Sequence, residues 1–351
     1  MQNQVKLSIV MPVYNHADYV IEMLQSIQNN TFQNWEVIAV DDGSDNNNFE
    51  KISCYCKNDS RINYFKRENI HPKGAQTCRN IGLQQAKGEY TIFFDSDDYI
   101  TPSCLSSRIY SLDKREDLDF MVFPSLVYLQ EGIKNYHSGS IYGYPIYPND
   151  IKAFIRRTLP FIVWSNIYRT SSLRKHSITW DTKLLSLQDS DFNLQAILKG
   201  LKYDYAHVQP DYAYRIVNNE GSISKRIASK EHLQSQLYLI HKTYKTVQTK
   251  FGNKFNTDLF LGVLLIYNKI FANGIEKNTA IELINIINEF DSFYGRILNI
   301  NVRCSLILQK FIAPKRARQL TMLPFLIYQQ LRSKVYNKRI QKIVLQNEKT
   351  L

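Results

Sequence analysis

Several features that would assign the chain to other classes of protein are absent from its 351 residues. No apolar run reaches the roughly 18 residues that suggest a membrane-spanning helix. The five cysteines are odd in number and irregularly spaced, so we expect neither a disulfide framework nor a zinc site. A strand-like segment begins as early as Lys6, so we expect no signal peptide, and a reducing cytoplasm is the simplest setting for these thiols.

Glycine-rich phosphate loops are absent as well. The first predicted strand is not followed by G-x-G-x-x-G, and G-x-x-x-x-G-K-[ST] does not occur, which disfavours an ordinary dinucleotide-binding fold and a P-loop. A diphosphate bound here would need a metal ion and basic side chains. Met11–Asn15 is also not the glycine- and lysine-rich loop of a nucleotidyltransferase with a related sheet, which disfavours that class.

Negative charge is missing from the C-terminal region. Residues 301–347 contain no Asp or Glu, although the formal net charge of the chain is only +12. This local excess of positive charge indicates an anionic partner for the region. Nucleic acid is one such partner, but no recognised nucleic-acid-binding motif is present, and we expect none to bind. The ten basic residues of the region are Arg303, Lys310, Lys315, Arg316, Arg318, Arg332, Lys334, Lys338, Arg339 and Lys342.

The first hundred residues alternate between apolar strands and helical patterns. A strand, a helix and a second strand, with both strands apolar throughout, indicate a parallel βαβ unit and an α/β sheet. We expect one α/β domain over residues 1–225, divided near residue 102, and a helical, basic region over residues 226–351. Strands are predicted at 6–13, 36–40, 62–65, 90–94 and 201–208, and helices at 17–29, 76–86, 105–112, 231–250, 258–272, 280–290 and 324–343.

Carboxylates follow two of these strands. Residues 90–94 run into Asp95, Asp97 and Asp98, and the strand at 36–40 runs into Asp41 and Asp42. Ligands of open α/β sheets bind where the carboxyl ends of strands meet. Crowded carboxylates repel one another unless a cation or hydrogen-bond donors compensate, and their oxygens suit Mg²⁺ or Mn²⁺ better than zinc. The stretch therefore predicts a divalent metal site; the alternative is a solvated acidic turn, with Asp98 as a helix N-cap.

A second informative stretch is Gln188–Leu194. Its apolar spacing predicts a helix that ends at Gly200, with Asp189 at or near the N-terminus. As an N-cap, Asp189 would contribute about 1 kcal/mol of helix stability. As a catalytic base it would have to face the metal site. The pattern alone leaves both interpretations open.

Together these segments resemble the inverting nucleotide-sugar glycosyltransferases of the GT-A fold, usually called family 2, over roughly residues 5–225. Each segment is weak alone, but their order and spacing match those of the family. The resemblance implies a Rossmann-like, mostly parallel central sheet flanked by helices. The segments that carry it are Ser8–Asn15, Val40–Asp45, Arg79–Gly82, Gly88–Tyr90 and Asp95–Asp98.

The resemblance also implies roles for individual residues. Asp95, Asp97 and Asp98 would hold the metal ion, Mn²⁺ or Mg²⁺. Arg79 would support the diphosphate; its alternative is an ion pair with one of the aspartates. The residues implied in donor binding are Pro12, Tyr14, Asp41, Asp42, Lys73, Arg79, Asp95 and Ser96.

The catalytic base of the family lies in an "ED" segment about ninety residues after the D-x-D motif. Asp189 matches that position, and Gln188 replaces the usual Glu, which leaves Asp191 as a reserve candidate. Trp164, Tyr214 and Arg215 would lie on the acceptor side. For Trp164 the alternative is a tryptophan of the core.

The function implied is inverting, metal-dependent transfer of a hexosyl or N-acetylhexosaminyl group from a nucleotide sugar to a hydroxyl group. UDP is the expected nucleotide because the family favours it. The acceptor would be a glycan or a polyprenyl-diphosphate-linked glycan, in the synthesis of capsule, exopolysaccharide or O-antigen. The alternative function is that of a non-catalytic nucleotide-sugar or membrane-surface binding protein on the same fold.

Apolar and basic residues alternate from Pro324 to Ile343, in a pattern that resembles an interfacial amphipathic helix. Each basic residue near an anionic leaflet contributes about 1 kcal/mol of binding. We therefore expect this tail to contact an anionic membrane, which would place the protein on the inner face of the plasma membrane. The alternative is a helix packed on its domain with a solvated basic face.

Overall fold

The computed structural model describes residues 4–128, 142–215, 229–271 and 274–348. The chain forms two compact units. The first comprises residues 1–145, 159–183 and 188–218, and the second comprises residues 146–158, 184–187 and 219–351. The expected domain boundary after residue 225 lies outside the described residues.

The first unit is built on a seven-stranded sheet with the strand order β3-β2-β1-β4-β8-β6-β9, and β5, β10 and β7 form a separate three-stranded sheet. The strands are β1 (Leu7–Val13), β2 (Trp35–Asp41), β3 (Ile62–Lys66), β4 (Tyr90–Phe93), β5 (Tyr99–Ile100), β6 (Phe120–Val122), β7 (Ser125–Tyr128), β8 (Asn166–Arg169), β9 (Tyr203–Tyr205) and β10 (Tyr212–Arg215). The helices are α1 (Ala17–Gln28), α2 (Asn46–Cys56), α3 (Ala75–Gln85), α4 (Cys104–Asp113), α6 (Thr170–Lys175) and α7 (Gln188–Leu198), while α5 (Asp150–Ile155) belongs to the second unit.

The central strand β1 explains why the sheet is mostly parallel. All seven of its residues are buried, and it pairs in parallel with β2 on one side and β4 on the other. Val10, for example, lies opposite Ile38 of β2 and Phe93 of β4. Continuous apolar strands are typical of parallel sheets, because helices cover both faces. The predicted α/β fold with a mostly parallel sheet is confirmed.

Some elements of this unit differ from the sequence prediction. Helix α2 was not predicted, because its asparagine-rich sequence buries only Ile52 and Cys56; Asp45 caps it by accepting from the backbone N–H of Asn48. The strand expected over residues 201–208 extends only from Tyr203 to Tyr205. The predicted strands and helices up to residue 112 occur within one or two residues of their expected ends.

The second unit is helical over its longest segment, as predicted. Its helices there are α8 (Lys230–Phe251), α9 (Asn256–Ile270), α10 (Lys277–Phe290), α11 (Ser292–Leu308), α12 (Pro314–Thr321) and α13 (Leu323–Glu348). Helices α11 and α12 were not predicted. Within the described part of the chain, no helix has the length and apolarity that crossing a membrane requires.

The tail helix α13 has side chains of two kinds. Ile340 is buried, and the Nη1 of Arg339 donates to the carbonyl of Ile146 at 2.9 Å, both within the second unit. Phe325, Leu326 and Tyr336 are partly buried. Further large apolar side chains of the helix are exposed to between 38% and 60%: Leu323, Ile327, Tyr328, Leu331 and Val335. The interfacial role of this helix stays a prediction.

Arg108 of α4 and Asp211, the residue before β10, form a buried ion pair. The Arg108 side chain is fully buried; its Nε and Nη2 donate to Asp211 at 2.8 and 2.6 Å, and its Nη1 donates to the carbonyl of Trp164. Removing one partner leaves a buried charge without compensation. We expect Arg108→Leu to lower the free energy of unfolding by about 3–5 kcal/mol, measured from urea titrations.

A matched surface variant and a double variant interpret that result. Arg115 pairs with Asp117 on the surface, so Arg115→Leu should leave the urea midpoint close to that of the unaltered chain. The double variant Arg108→Leu, Asp211→Leu should recover part of the loss because neither charge remains. An Arg108→Leu midpoint equal to that of Arg115→Leu would contradict the assignment.

Candidate active site

Polar residues gather where β1 and β2 end. After β1, Asn15 and His16 adopt left-handed backbone conformations, with φ of 54° and 53°. The backbone N–H of Asn15 donates to the Ser44 hydroxyl at 2.7 Å, and that of Asp45 donates to the Asn15 side chain at 3.0 Å. Two turns from neighbouring strands are therefore held together, and the left-handed residues mark a position where function often imposes backbone strain.

The two aspartates after β2 have different surroundings. Asp41 is buried, and its oxygens accept from the backbone of Gly43 and Ser44 and from the hydroxyls of Ser44 and Tyr64. These bonds give Asp41 a structural role in the turn. Asp42 accepts from Arg67 Nε at 2.7 Å and from the N–H of Gly74 at 2.9 Å, so it holds the loop between β3 and α3.

The expected nucleoside contacts lie at the same sheet edge. The ring of Tyr14 is 49% exposed, and the Nζ of Lys73 lies 4.4 Å from its centre. An exposed ring at this place is available for stacking on a base. Pro12 is buried inside β1, where it pairs with Val40, so its place is within the sheet. The donor-binding roles stay predictions.

The acidic turn after β4 separates its carboxylates by exposure. Asp95, Ser96 and Asp97 are partly exposed, whereas Asp98 is buried and accepts from the Tyr212 hydroxyl and from the N–H of Arg215 at 2.8 Å. Burial and the charge of Asp95 raise the pKa of Asp97 to about 6. Burial, together with the charges of Asp97 and Asp95, also raises the pKa of Asp98. The repulsion expected from the sequence is therefore present.

These surroundings bear on the metal site. Asp95 and Asp97 offer accessible oxygens, while Asp98 is already engaged with β10. Within the described ranges, no group of three or more His, Cys, Asp and Glu side chains is placed to hold a metal ion. A metal ion would therefore need oxygens from a bound ligand as well as from the two aspartates, and the D-x-D metal site stays a prediction.

Arg79 of α3 connects the acidic turn to α7. Its Nη2 donates to Asp95 Oδ1 at 2.5 Å and its Nη1 to Gln188 Oε1 at 3.3 Å, and the guanidinium lies 4.5 Å from the centre of the Trp180 ring. The residue is 7% exposed. The ion pair offered as the alternative for Arg79 is thus present, and the same side chain reaches the "ED"-like segment.

Asp189 is the second residue of α7. Burial raises the pKa of Asp189 to about 6; the positive charge of Arg79 opposes this shift and the negative charge of Asp95 adds to it. Asp189 therefore lies within electrostatic reach of the acidic turn. Asp191, the reserve candidate, is 7% exposed. A carboxyl group with a pKa near 6 next to a charge partner is typical of a catalytic acid or base.

The three acceptor-side candidates belong to one aromatic region. Trp164 is partly exposed and stacks on Tyr212, with ring centres 5.7 Å apart, and its ring centre lies 5.5 Å from that of Tyr214. Its Nε1 donates to the Ser125 hydroxyl. The side chain of Arg215 turns toward α1 and donates to Glu22 at 2.7 Å. Trp164 packs against the core yet keeps an exposed edge, so both of its interpretations stay open.

The sequence alone did not indicate Trp180, Gln76 or His16, which also belong to this region. Trp180 carries Arg79 on its ring, and its backbone N–H and C=O bond the side chain of Asn80 at 2.8 Å each. Gln76 accepts from Gln188 Nε2 at 3.0 Å. His16 lies within electrostatic reach of Asp97. Of Trp180, Asn80, Gln76 and His16, only Asn80 lies in a segment that had been singled out from the sequence, Arg79–Gly82.

Comparisons with known proteins bear on the family and the fold of the chain. The model of the family "Glycosyl transferase family 2" matches residues 8–181, about half of the chain. The putative glycosyltransferase EpsH of Bacillus subtilis is 28% identical over 60% of the chain and 60% of its own length. The poly(ribitol-phosphate) beta-glucosyltransferase of Bacillus spizizenii is 30% identical over 62% of the chain, but over only 33% of its own length. The chain thus spans less than two thirds of each of these relatives.

A solved structure shares the fold. Residues 1–349 of S. aureus TarS, in complex with UDP-GlcNAc, superpose with a TM-score of 0.64 at 18% sequence identity. The superposition covers 96% of this chain and 92% of that one. The likeness extends over the helical region as well as the sheet.

Proposed function

The chain belongs to glycosyl transferase family 2, and we propose that it transfers a sugar from a nucleotide-sugar donor to a hydroxyl group, with inversion at the anomeric carbon. The observation that supports this most is the connection through Arg79. One buried cation bonds Asp95 of the acidic turn and lies within electrostatic reach of Asp189. The carboxylate proposed for donor binding and the carboxylate proposed as the base thus lie near the same cation.

Asp189 has the properties of a general base. With a pKa of about 6, it is mostly ionised at neutral pH and basic enough to accept a proton. In the proposed reaction it takes the proton of the acceptor hydroxyl as the oxygen attacks the anomeric carbon. The nucleoside diphosphate leaves from the opposite face, so one displacement inverts the configuration.

The proposed metal dependence rests on Asp95 and Asp97, whose accessible oxygens fit Mn²⁺ or Mg²⁺. A metal ion bound there would act as a Lewis acid that stabilises charge on the leaving diphosphate. Arg79, held against Asp95, adds a fixed positive charge at the same place. Tyr14, Asp42 and Lys73 would contact the nucleotide from the ends of β1, β2 and the loop before α3.

UDP is the proposed nucleotide. Its support is the family and the shared fold with TarS, whose structure contains UDP-GlcNAc; the sugar would be a hexose or an N-acetylhexosamine. The proposed acceptor is a glycan or a polyprenyl-diphosphate-linked glycan of a surface polysaccharide. The names of its relatives support this pathway class, and the exposed apolar side chains of α13 support peripheral contact with an anionic membrane.

A panel of nucleotide sugars tests the proposal. The purified chain, with Mn²⁺, is incubated with each donor and with glycan acceptors, and donor binding, donor hydrolysis and transfer are measured separately. We expect one donor class to bind in a metal-dependent way and to be consumed. Binding without hydrolysis or transfer for any donor would favour the non-catalytic binding protein.

A substitution at Gln188 tests whether a charge beside Arg79 and Asp189 changes the pKa of the proposed base. Gln188→Glu places a carboxylate within bonding distance of Arg79 and next to Asp189. Because negative charge raises the pKa of a neighbouring carboxyl, the acid limb of the pH–turnover profile should move from about 6 upward by on the order of one pH unit.

The matched control is Gln195→Glu, which adds the same charge about 10.5 Å farther along α7, where the side chain bonds Thr179. Its acid limb should stay near that of the unaltered chain. Equal limbs in the two variants would contradict Asp189 as the group whose ionisation sets the acid limb.

A further inference from the structure

The outward side of α11 carries a continuous line of apolar side chains. Phe293, Ile297, Ile300 and Ile307 are exposed to 61%, 40%, 63% and 57%, and Phe311, in the turn that follows, to 80%. With the exposed Cys304, these residues recur at alternating intervals of four and three, so they lie on one face. We call the six side chains the α11 seam.

The opposite face of α11 fixes this orientation. Leu298 is fully buried, Val302 is 3% exposed, and Gly295 and Ser305 are buried beside them. If the helix rotated so that the seam faced inward, these buried side chains would leave the core of the second unit. The seam therefore stays on the surface of the folded unit. Apolar surface of this extent on one face marks an interaction site.

A basic row runs along one edge of the seam. Arg296, Arg303 and Lys310 are exposed and stand seven residues apart. The Nε of Arg296 donates to the Ser292 carbonyl and the Nε of Arg303 to the Asn299 side chain, so neither bond neutralises a guanidinium. The sequence has no Asp or Glu from Ser292 to Asn347. The edge is therefore positively charged without a carboxylate from this segment.

The charge pattern distinguishes between two possible binding partners of the seam, a second copy of the chain and an anionic lipid surface. The spacing of the seam is that of a coiled coil, so a second copy of the chain is one option. In an antiparallel pair the basic row would face itself. In a parallel pair it would face the other edge, formed by Tyr294, Asn301 and Leu308, which has no acidic residue. Neither arrangement supplies opposite charges, whereas an anionic lipid surface supplies them and also receives apolar side chains.

We propose that the α11 seam is a membrane-contact surface, with its apolar side chains in the interfacial region and Arg296, Arg303 and Lys310 at anionic headgroups. This inference deepens the peripheral membrane contact of the proposed function and assigns it to an element that the sequence did not indicate. It does not depend on the identity of the donor or acceptor. The lipids are recognised by charge and apolar depth, since no pocket for a particular headgroup is involved.

Vesicle sedimentation of the full chain tests the seam. Vesicles of phosphatidylcholine, with and without phosphatidylglycerol, are used as probes. Ile300→Ser with Ile307→Ser should lower the partition coefficient on the anionic vesicles by on the order of tenfold. Arg296→Gln with Arg303→Gln and Lys310→Gln should remove most of the dependence on phosphatidylglycerol, at roughly fivefold per charge. Far-ultraviolet circular dichroism and donor turnover in solution should stay unchanged in both.

The matched control changes α13 in the same way, as Leu331→Ser with Val335→Ser. The proposal is overturned if the seam variant sediments like the unaltered chain, or if only the α13 variant loses binding, which would move the membrane contact to α13. It is also overturned if light scattering shows a dimer of the unaltered chain that the seam variant dissociates, with no vesicle binding by either. Each of these outcomes leaves the glycosyltransferase proposal intact.

A second measurement avoids changing the seam. Cys54 and Cys304 are exposed, whereas the other cysteines are buried. A polarity-sensitive dye attached at Cys304, with Cys54→Ser, should shift its emission to shorter wavelength on phosphatidylglycerol vesicles. Attached at Cys54, with Cys304→Ser, it should not shift. Equal spectra at the two positions would overturn the proposal.

Discussion

We expect that replacing Asp189 by Asn will lower turnover by about 10²–10⁴-fold and leave the affinity for the donor close to that of the unaltered chain. The variant keeps the size and polarity of the side chain but removes the proposed proton acceptor. Donor affinity should be retained because the proposed donor contacts lie at the ends of β1, β2 and β4, whereas Asp189 lies on α7. Steady-state kinetics and calorimetric titration with the donor and Mn²⁺ measure the two quantities separately.

The pH profile adds a qualitative signature to this loss. A base must be ionised to act, so turnover of the unaltered chain should fall as the pH is lowered through about 6. In Asp189→Asn the residual rate should lack this limb. Asp191→Asn is the comparison, because Asp191 is buried and lies two residues from Asp189. If Asp191→Asn loses turnover and Asp189→Asn keeps it, the base is Asp191.

We expect that replacing Asp97 by Asn will impair both donor binding and turnover, in contrast to Asp189→Asn. The accessible carboxylates of Asp95 and Asp97 are the proposed protein ligands of the metal ion, whose charge would stabilise the leaving diphosphate. Loss of several kcal/mol of this stabilisation corresponds to a decrease in turnover of at least about 100-fold. Removing the metal with a chelator should inactivate the unaltered chain to a similar extent.

A thermal-shift titration checks that assignment without an acceptor. Mn²⁺ with the donor should raise the melting temperature of the unaltered chain and leave that of Asp97→Asn nearly unchanged. Asp98→Asn is expected to behave differently. Since Asp98 is buried and accepts from Tyr212 and Arg215, its replacement should lower the melting temperature even without metal. A metal-dependent shift of normal size in Asp97→Asn would contradict the metal site.

The sheet could be predicted from the sequence because its signals are local. β1, β2 and β4 are apolar throughout, and strands of this kind occur almost only in parallel sheets with covered faces. Helices α11 and α12 were not predicted from the sequence. The apolar residues of α11 lie on two faces, one packed and one exposed, so they do not mark a single core-facing stripe.

The candidate site was predictable only in part, because some of its contacts join residues that are distant in the sequence. The aspartates after β2 and β4 and the position of Asp189 follow from sequence spacing. The different surroundings of these aspartates do not follow from it. Asp98 is withdrawn from solvent because β5 pairs with β10, which brings Tyr212 to it from 114 residues away. Trp180 contacts Arg79, and Gln76 contacts Gln188, only in the folded chain. No local sequence pattern therefore predicts these contacts.

The anomeric configuration of the transferred sugar tests the central claim most directly. Nuclear magnetic resonance of the product formed from a donor of known configuration measures it, through the coupling constant of the anomeric proton. The account predicts the inverted configuration, because Asp189 activates the acceptor for a single displacement opposite the departing nucleotide. A product with retained configuration would contradict it.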